Sequence, residues 1–136
     1  MKAKVVKVGI ISRENYRKRT IAIAKGNYKP KNDEPKVWFE SLASMAQVLG
    51  SDNQKLLQLI IEHQPESLSE LEKISSRKKS NLSRTLKTLE RYGIVSLSKK
   101  RGRLVPKVKA TDFKVQFGLH YSKPVSEDSN SKVVAA

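Results

Sequence analysis

Residues 77–105 read RKKSNLSRTLKTLERYGIVSLSKKRGRLV, and the reading of this stretch decides the fold. Leu82, Leu86, Leu89 and Tyr92 recur at helical spacing, and Gly93 is placed to end that helix in the left-handed conformation. Beyond it Val95 and Leu97 alternate with Ser96 and Ser98, a basic turn surrounds Gly102, and Leu104, Pro106 and Val108 alternate again. Pro106 has no N–H to give to a ladder, so its strand is an edge or turns that position away from its partner. The stretch therefore predicts a helix, a glycine stop and a hairpin with a cationic tip. From Arg77 to Lys109 there are twelve Lys or Arg residues and a single acid, Glu90, interleaved with the leucines instead of gathered in a structureless tail.

Working upstream, Ser67 opens a capping box with Glu70, and Leu68, Leu71 and Ile74 give a short helix one apolar stripe. Ser75 to Lys79 must then be a turn, so two helices joined by a turn precede the hairpin. Before them, Leu56, Leu57, Ile60 and Ile61 predict a helix from Ser51 or Asp52 to Gln64, which Pro65 stops. Val37, Trp38, Phe39, Leu42, Met45, Ala46 and Leu49 also recur at helical spacing, with a helix beginning near Ser41 and stopping at Gly50. The single tryptophan reads as core packing. Residues 27–36, with two prolines, read as a linker, and Ser12 and Gly26 bracket a basic helix whose Tyr16, Thr20 and Ile23 make a narrow stripe. Val6, Val8 and Ile10 alternate weakly, as in a short strand. Phe113, Val115, Phe117 and Leu119 alternate clearly, as in a third strand or an arm to a partner subunit.

The expected architecture is mainly α with a small β-hairpin wing, a winged helix-turn-helix of the α+β class. Residues 37–119 form that domain, residues 1–36 a basic N-terminal extension with one helix, and residues 120–136 a flexible tail.

Composition narrows the partners. The 136 residues carry a net charge of +15, distributed as +8 over residues 1–36, −4 over 37–76, +11 over 77–109 and zero over 110–136. Two basic blocks around an acidic centre point to a polyanion, against the alternatives of a solvated charged face or a membrane-surface patch. With no cysteine, disulfides, Cys-ligated zinc and thiol chemistry are excluded, and two isolated histidines offer little to another metal. His63 and His120 have no nucleophile motif, carboxylate pair or phosphate loop beside them, so neither catalysis nor a cofactor is expected. No apolar run approaches the ~18 residues of a membrane span, and the first residues lack a secretory pattern, which makes the cytoplasm the expected compartment.

The major groove of B-DNA admits a helix whose exposed face reads base edges while surrounding cations neutralise phosphates. In a helix-turn-helix the start of the second helix makes the base contacts. With its leucines buried, this helix offers Asn81 and Arg84 there, since Asn pairs bidentately with adenine and Arg with guanine. Ser80 and Ser83 suit phosphate or bases, Lys78, Lys79 and Lys87 suit phosphate, and Arg77 suits either. The competing reading makes Asn81 and the serines helix-start caps, and Lys87 part of a solvated face. Lys99, Lys100, Arg101 and Arg103 at the wing tip are suited to an adjacent minor groove or backbone, beyond what is needed to blunt an edge strand.

The run SLSELEKISSRKKSNLSRTLKTLERYGIV resembles the winged helix-turn-helix of MarR-like bacterial and archaeal regulators, where a Ser-x-x-Ser-Arg-x-Leu-x-x-Leu-Glu helix precedes Gly-hydrophobic-Val. More narrowly, PKVWFESLASMAQVL followed by KKSNLSRTLKTLERYG is similar to a family of DNA-binding proteins regarded as predicted transcriptional regulators and often encoded beside a small toxin gene. That resemblance spans about residues 12–119, with Ser76 standing where such turns commonly carry Gly. It implies an antitoxin-like repressor autoregulating its operon, with a cognate toxin as a further partner. Domains of this kind usually read pseudo-palindromes, so a homodimer with recognition helices one DNA turn apart, about 34 Å, is expected. The helix at 12–25, the helix at 41–49 and the Phe113 strand are alternative dimer surfaces. The rival functions are an RNA-binding or ribosome-associated protein, for which the basic block offers only Tyr92 as a stacking aromatic, and an antitoxin acting through protein contact.

Overall fold

In the computed structural model, which describes residues 2–119, five helices and five strands form a mixed α/β chain. The order is β1 (Val5–Ile10), α1 (Arg13–Ala24), β2 (Val37–Phe39), α2 (Leu42–Val48), α3 (Ser51–His63), α4 (Leu68–Ser75), α5 (Lys79–Arg91), β3 (Val95–Lys100), β4 (Arg103–Val108) and β5 (Asp112–Gln116). The expected tail at 120–136, with His120, lies outside the described residues.

Local chemistry sets the starts of α2 and α4 and the ends of α3, α4 and α5. Ser41 caps α2 in a reciprocal box with Ser44. The α3 helix closes on Gln64 in the left-handed conformation, just before Pro65. Ser67 accepts the Glu70 N–H at 3.1 Å, while the Glu70 carboxylate reaches one residue further back, to the Glu66 N–H at 3.4 Å. The α4 helix ends on Ser76, at φ 61°, so serine occupies a left-handed position that glycine adopts at lower cost. The α5 helix buries Leu82, Leu86 and Leu89 completely, and Gly93 follows at φ 77°.

β3 and β4 form the expected hairpin. Arg101 (φ 54°) and Gly102 (φ 76°) make its two-residue turn, where both central residues need positive φ. The Lys109 N–H donates to the Ile94 carbonyl just beyond the Val95–Val108 pair. Counting back along the alternation makes Leu97–Pro106 a pair without hydrogen bonds, so the missing N–H of Pro106 costs the ladder nothing.

The N-terminal region departs from expectation. β1 is the centre of a three-stranded parallel sheet in the order β2-β1-β5, with Val8 opposite Val37 on one side and Val115 on the other. Residues 1–36 are therefore no separate extension, and β5 is neither a third strand of the hairpin nor a free arm. A mainly helical chain with one hairpin is likewise too narrow a description. The physical reason is that parallel pairing is non-local: β5 lies more than a hundred residues from its partner, beyond the reach of local periodicity. Residues 37–39 form β2 and not the approach to a helix, because Val37 and Phe39 bury on one side of the strand. Val8, Ile10, Val37 and Phe39 join Leu56, Ile60, Leu71, Leu82, Leu86 and Val95 in one continuous core.

α1 forms as read, capped by Ser12 through the Asn15 N–H, but it buries no residue completely. A small cluster holds this region. Arg19 lies 5.1 Å from the centre of the Trp38 ring and 5.9 Å from that of Tyr28, and pairs with Glu34 at 3.0 Å. Tyr28 donates its hydroxyl to Glu34, and the Lys31 N–H does the same at 2.8 Å. Burial, then the Glu34 hydrogen bond and charge, pushes the Tyr28 hydroxyl up to about 12. Burial works against a charged Glu34, yet the hydrogen bonds from Tyr28, the Lys31 N–H and Arg19 outweigh it and hold the carboxyl below its ordinary value. Residues 27–36 are thus an anchored strap and not a loose linker. Trp38 packs under it, with Pro35 on the same side of β1: a Cβ on Gly9 would lie 2.6 Å from the Trp38 ring and 2.8 Å from Pro35.

Candidate nucleic-acid interface

The leucine stripe of α5 fixes which side chains face out. Ser80, Asn81, Arg84 and Lys87 are exposed, and Ser83, Thr85 and Thr88 are half-buried. The first turn has no side-chain cap of its own, because Lys78 occupies the N-cap. Glu72 of α4 supplies the acceptor instead, its carboxylate taking the Lys79 N–H at 3.1 Å. Neither Asn81 nor the serines cap the helix, so the competing local role for them is not realised.

Arg77, in the turn, organises the start of α5. Its Nε–H and Nη2–H donate to Asn81 Oδ1 at 2.9 and 2.7 Å, and Nη2–H also reaches Thr85 Oγ1 at 2.9 Å. Nη1–H donates to Asn53 Oδ1 of α3 at 3.3 Å, and the Asn53 amide in turn donates to the Val48 carbonyl at 3.0 Å. One guanidinium therefore ties the end of α2, the first turn of α3 and the first two turns of α5 together through neutral groups.

Around this clamp lies an open cleft of about 1120 Å³. Arg77, Lys78, Ser80, Asn81 and Arg84 line it from the turn and α5, and Asp52, Asn53 and Lys55 from α3. Five of the eight expected contact residues of the turn and helix thus converge, while Lys79, Ser83 and Lys87 lie outside its lining. The hairpin cations Lys99, Lys100, Arg101 and Arg103 are all exposed. Lys100, Arg101 and Arg103 border a separate cavity of about 740 Å³ whose apolar walls include Ile60, Pro65 and Val105. No residue lines both cavities.

Among the described residues, the ion pairs are Arg13–Glu40, Lys18–Glu14 and Arg19–Glu34, and His63 Nε2 lies 3.8 Å from the Glu62 carboxylate. None uses a cation of the block from 77 to 109. Among the described residues its charge is therefore uncompensated by ion-pair contact, the condition under which phosphate binding costs least. Tyr92 stacks on Phe39 with ring centres 4.4 Å apart, which removes it as a platform for bases. No group of three or more metal-ligating His, Cys, Asp or Glu side chains occurs among the described residues, and no helix there is long and apolar enough to cross a membrane.

Sequence reasoning missed Asn53, Lys55 and Glu72. Asn53 and Lys55 belong to a helix whose pattern speaks only of its buried face, and Glu72 reads as an ordinary solvated acid. A signal existed only for Glu72, an acid in the helix before an N-terminus that lacks a capping residue.

The profile of the HVO_A0114 family matches residues 48–115, half of the chain, and the chain belongs to that family. The match runs from the end of α2 into β5, so it contains the cleft, the clamp and the hairpin. No curated protein and no solved structure matches the chain.

Proposed function

We propose that this protein binds double-stranded DNA sequence-specifically and regulates transcription. In this reading α4, the turn and α5 act as a helix-turn-helix, with β3–β4 as its wing. The observation that carries it is the convergence of Arg77, Lys78, Ser80, Asn81 and Arg84 on one open cleft, where Asp52 is the one acid in the lining and none of these cations forms an ion pair among the described residues. Asn81 and Arg84 contact base edges; Lys78, Lys79 and Lys87, with Ser80 and Ser83, contact phosphates; and Lys99, Lys100, Arg101 and Arg103 add affinity from the wing. The half-buried, stacked Tyr92 favours duplex DNA over single-stranded RNA. By resemblance the regulator is a repressor and the autoregulating antitoxin of a toxin-antitoxin operon. It acts as a homodimer, and each of the three surfaces considered for this exposes large apolar side chains: Tyr16 and Ile21 on α1, Leu42 on α2, and Val115 on β5.

Titration of the DNA upstream of the protein's own gene against a scrambled duplex tests this. Asn81→Ala and Arg84→Ala each lower specific affinity about tenfold while leaving scrambled-duplex affinity nearly unchanged. Alanine at the wing cations lowers the slope of log affinity against log salt by up to about 0.9 for each phosphate left without its cation. Operator binding by both helix variants at the wild-type level would remove α5 as the reading element.

A further inference from the structure

Arg77 limits what Asn81 can say to a base. A guanidinium carries only donors, so the Asn81 side chain must turn its carbonyl oxygen toward it. That oxygen accepts from both Nε–H at 2.9 Å and Nη2–H at 2.7 Å, which uses its two lone pairs. The clamp is itself held from behind, since Nη1–H is bound to Asn53 Oδ1 and the Asn53 amide is fixed on the Val48 carbonyl. What Asn81 has left to offer is its NH₂ group, two donors on the exposed first turn of α5. Reading adenine bidentately needs a donor to N7 and an acceptor for the N6 amino group, and this Asn81 has no acceptor to spare. The major-groove edge of guanine, N7 and O6, is made of acceptors alone.

Resting on the DNA-binding reading above, we propose that Arg77 is a positioning residue that makes Asn81 a donor-only reader, so that the first turn of α5 selects guanine over adenine. Arg84 lies three residues on, lining the same cleft, and its own best partner is also guanine. The ligand class is thus a duplex whose half-site presents guanine to both side chains.

The test is binding-site selection by the full chain from duplexes with a randomised core, repeated with Asn81→Ala and with Arg77→Met, which keeps the apolar stem and removes the donors. The wild type is expected to enrich guanine over adenine about tenfold at the one position where Asn81→Ala loses its preference. Arg77→Met frees the Asn81 carbonyl and shifts that position toward adenine, an outcome that mere loosening of the fold does not produce. Should Arg77→Met fail to fold, a wild-type measurement decides alone. Replacing the selected guanine by 7-deazaguanine, which lacks the N7 acceptor, weakens wild-type binding about fivefold and leaves Asn81→Ala binding unchanged. Wild-type selection of adenine at the Asn81-dependent position, an unshifted preference in folded Arg77→Met, or indifference to 7-deazaguanine overturns the clamp while leaving DNA binding intact. If the wild type enriches no sequence at all, the DNA-binding reading itself falls and takes this inference with it.

Discussion

Two regions of this chain are strongly basic, residues 1–36 at +8 and residues 77–109 at +11, and their cations are held differently. Around α1, Arg13, Lys18 and Arg19 are paired with Glu40, Glu14 and Glu34, and Lys7 donates to the Asp33 carbonyl. From the turn through the hairpin no cationic side chain forms an ion pair among the described residues, and the most engaged of them, Arg77, binds amide and hydroxyl oxygens. The pairing separates them: the first uses arginine to hold a strap against the sheet, while the cations of the second form no ion pair among the described residues.

That contrast can be tested most severely through the core the two regions share. Leu86→Ala, at a fully buried site on α5, is expected to cost about 2–5 kcal/mol in denaturant unfolding. Because one core runs from β1 to β4, Trp38 fluorescence and far-ultraviolet circular dichroism should report the same lowered midpoint. Separate midpoints would restore residues 1–36 as an independent unit. On the other side, Gly9→Ala drives a methyl into the Trp38 ring and Pro35, and should cost about 1–3 kcal/mol. The loss belongs to stability, and the salt dependence of the proposed DNA binding should stay as in the wild type.

A smaller effect follows from titration at the strap. The Glu34 carboxyl is held below its ordinary value, so its contribution is fully present above the unfolded value, near 4.5, and is lost as pH falls through the folded one. Tyr28 has the opposite sign: raised to about 12, it contributes fully below its ordinary value of 10.0 and loses that contribution as pH climbs toward the raised one. Stability followed by Trp38 emission should therefore fall at both extremes, and Glu34→Gln should flatten the acid limb. An unchanged acid limb in that variant would show that the strap is not held by Glu34. The smallest change expected is Ser76→Gly. It relieves a left-handed serine but loosens the unfolded chain, and should shift stability by no more than about 1 kcal/mol, toward the folded state.

The legible part of the site was the exposed face of α5. Burying Leu82, Leu86 and Leu89 leaves one outward surface, and that surface carries Asn81 and Arg84 where they were expected. The clamp was not legible. Arg77 read as one more cation, because its partner Asn53 lies 24 residues away on a helix whose sequence announces only its buried side.

By itself the sequence determined α3, α4, α5 and the hairpin with their stops and the Ser67 cap of α4, together with the +11 block and the leucine stripe beneath it. These are local matters, settled by contacts three or four residues apart in a helix and two apart in a strand. Only the tertiary structure decided that β1 lies between β2 and β5, that residues 27–36 are anchored through Arg19, and that Arg77 occupies the carbonyl of Asn81. Parallel pairing and side-chain networks join residues far apart in the chain, and no local period records which distant partner a strand or a guanidinium will meet.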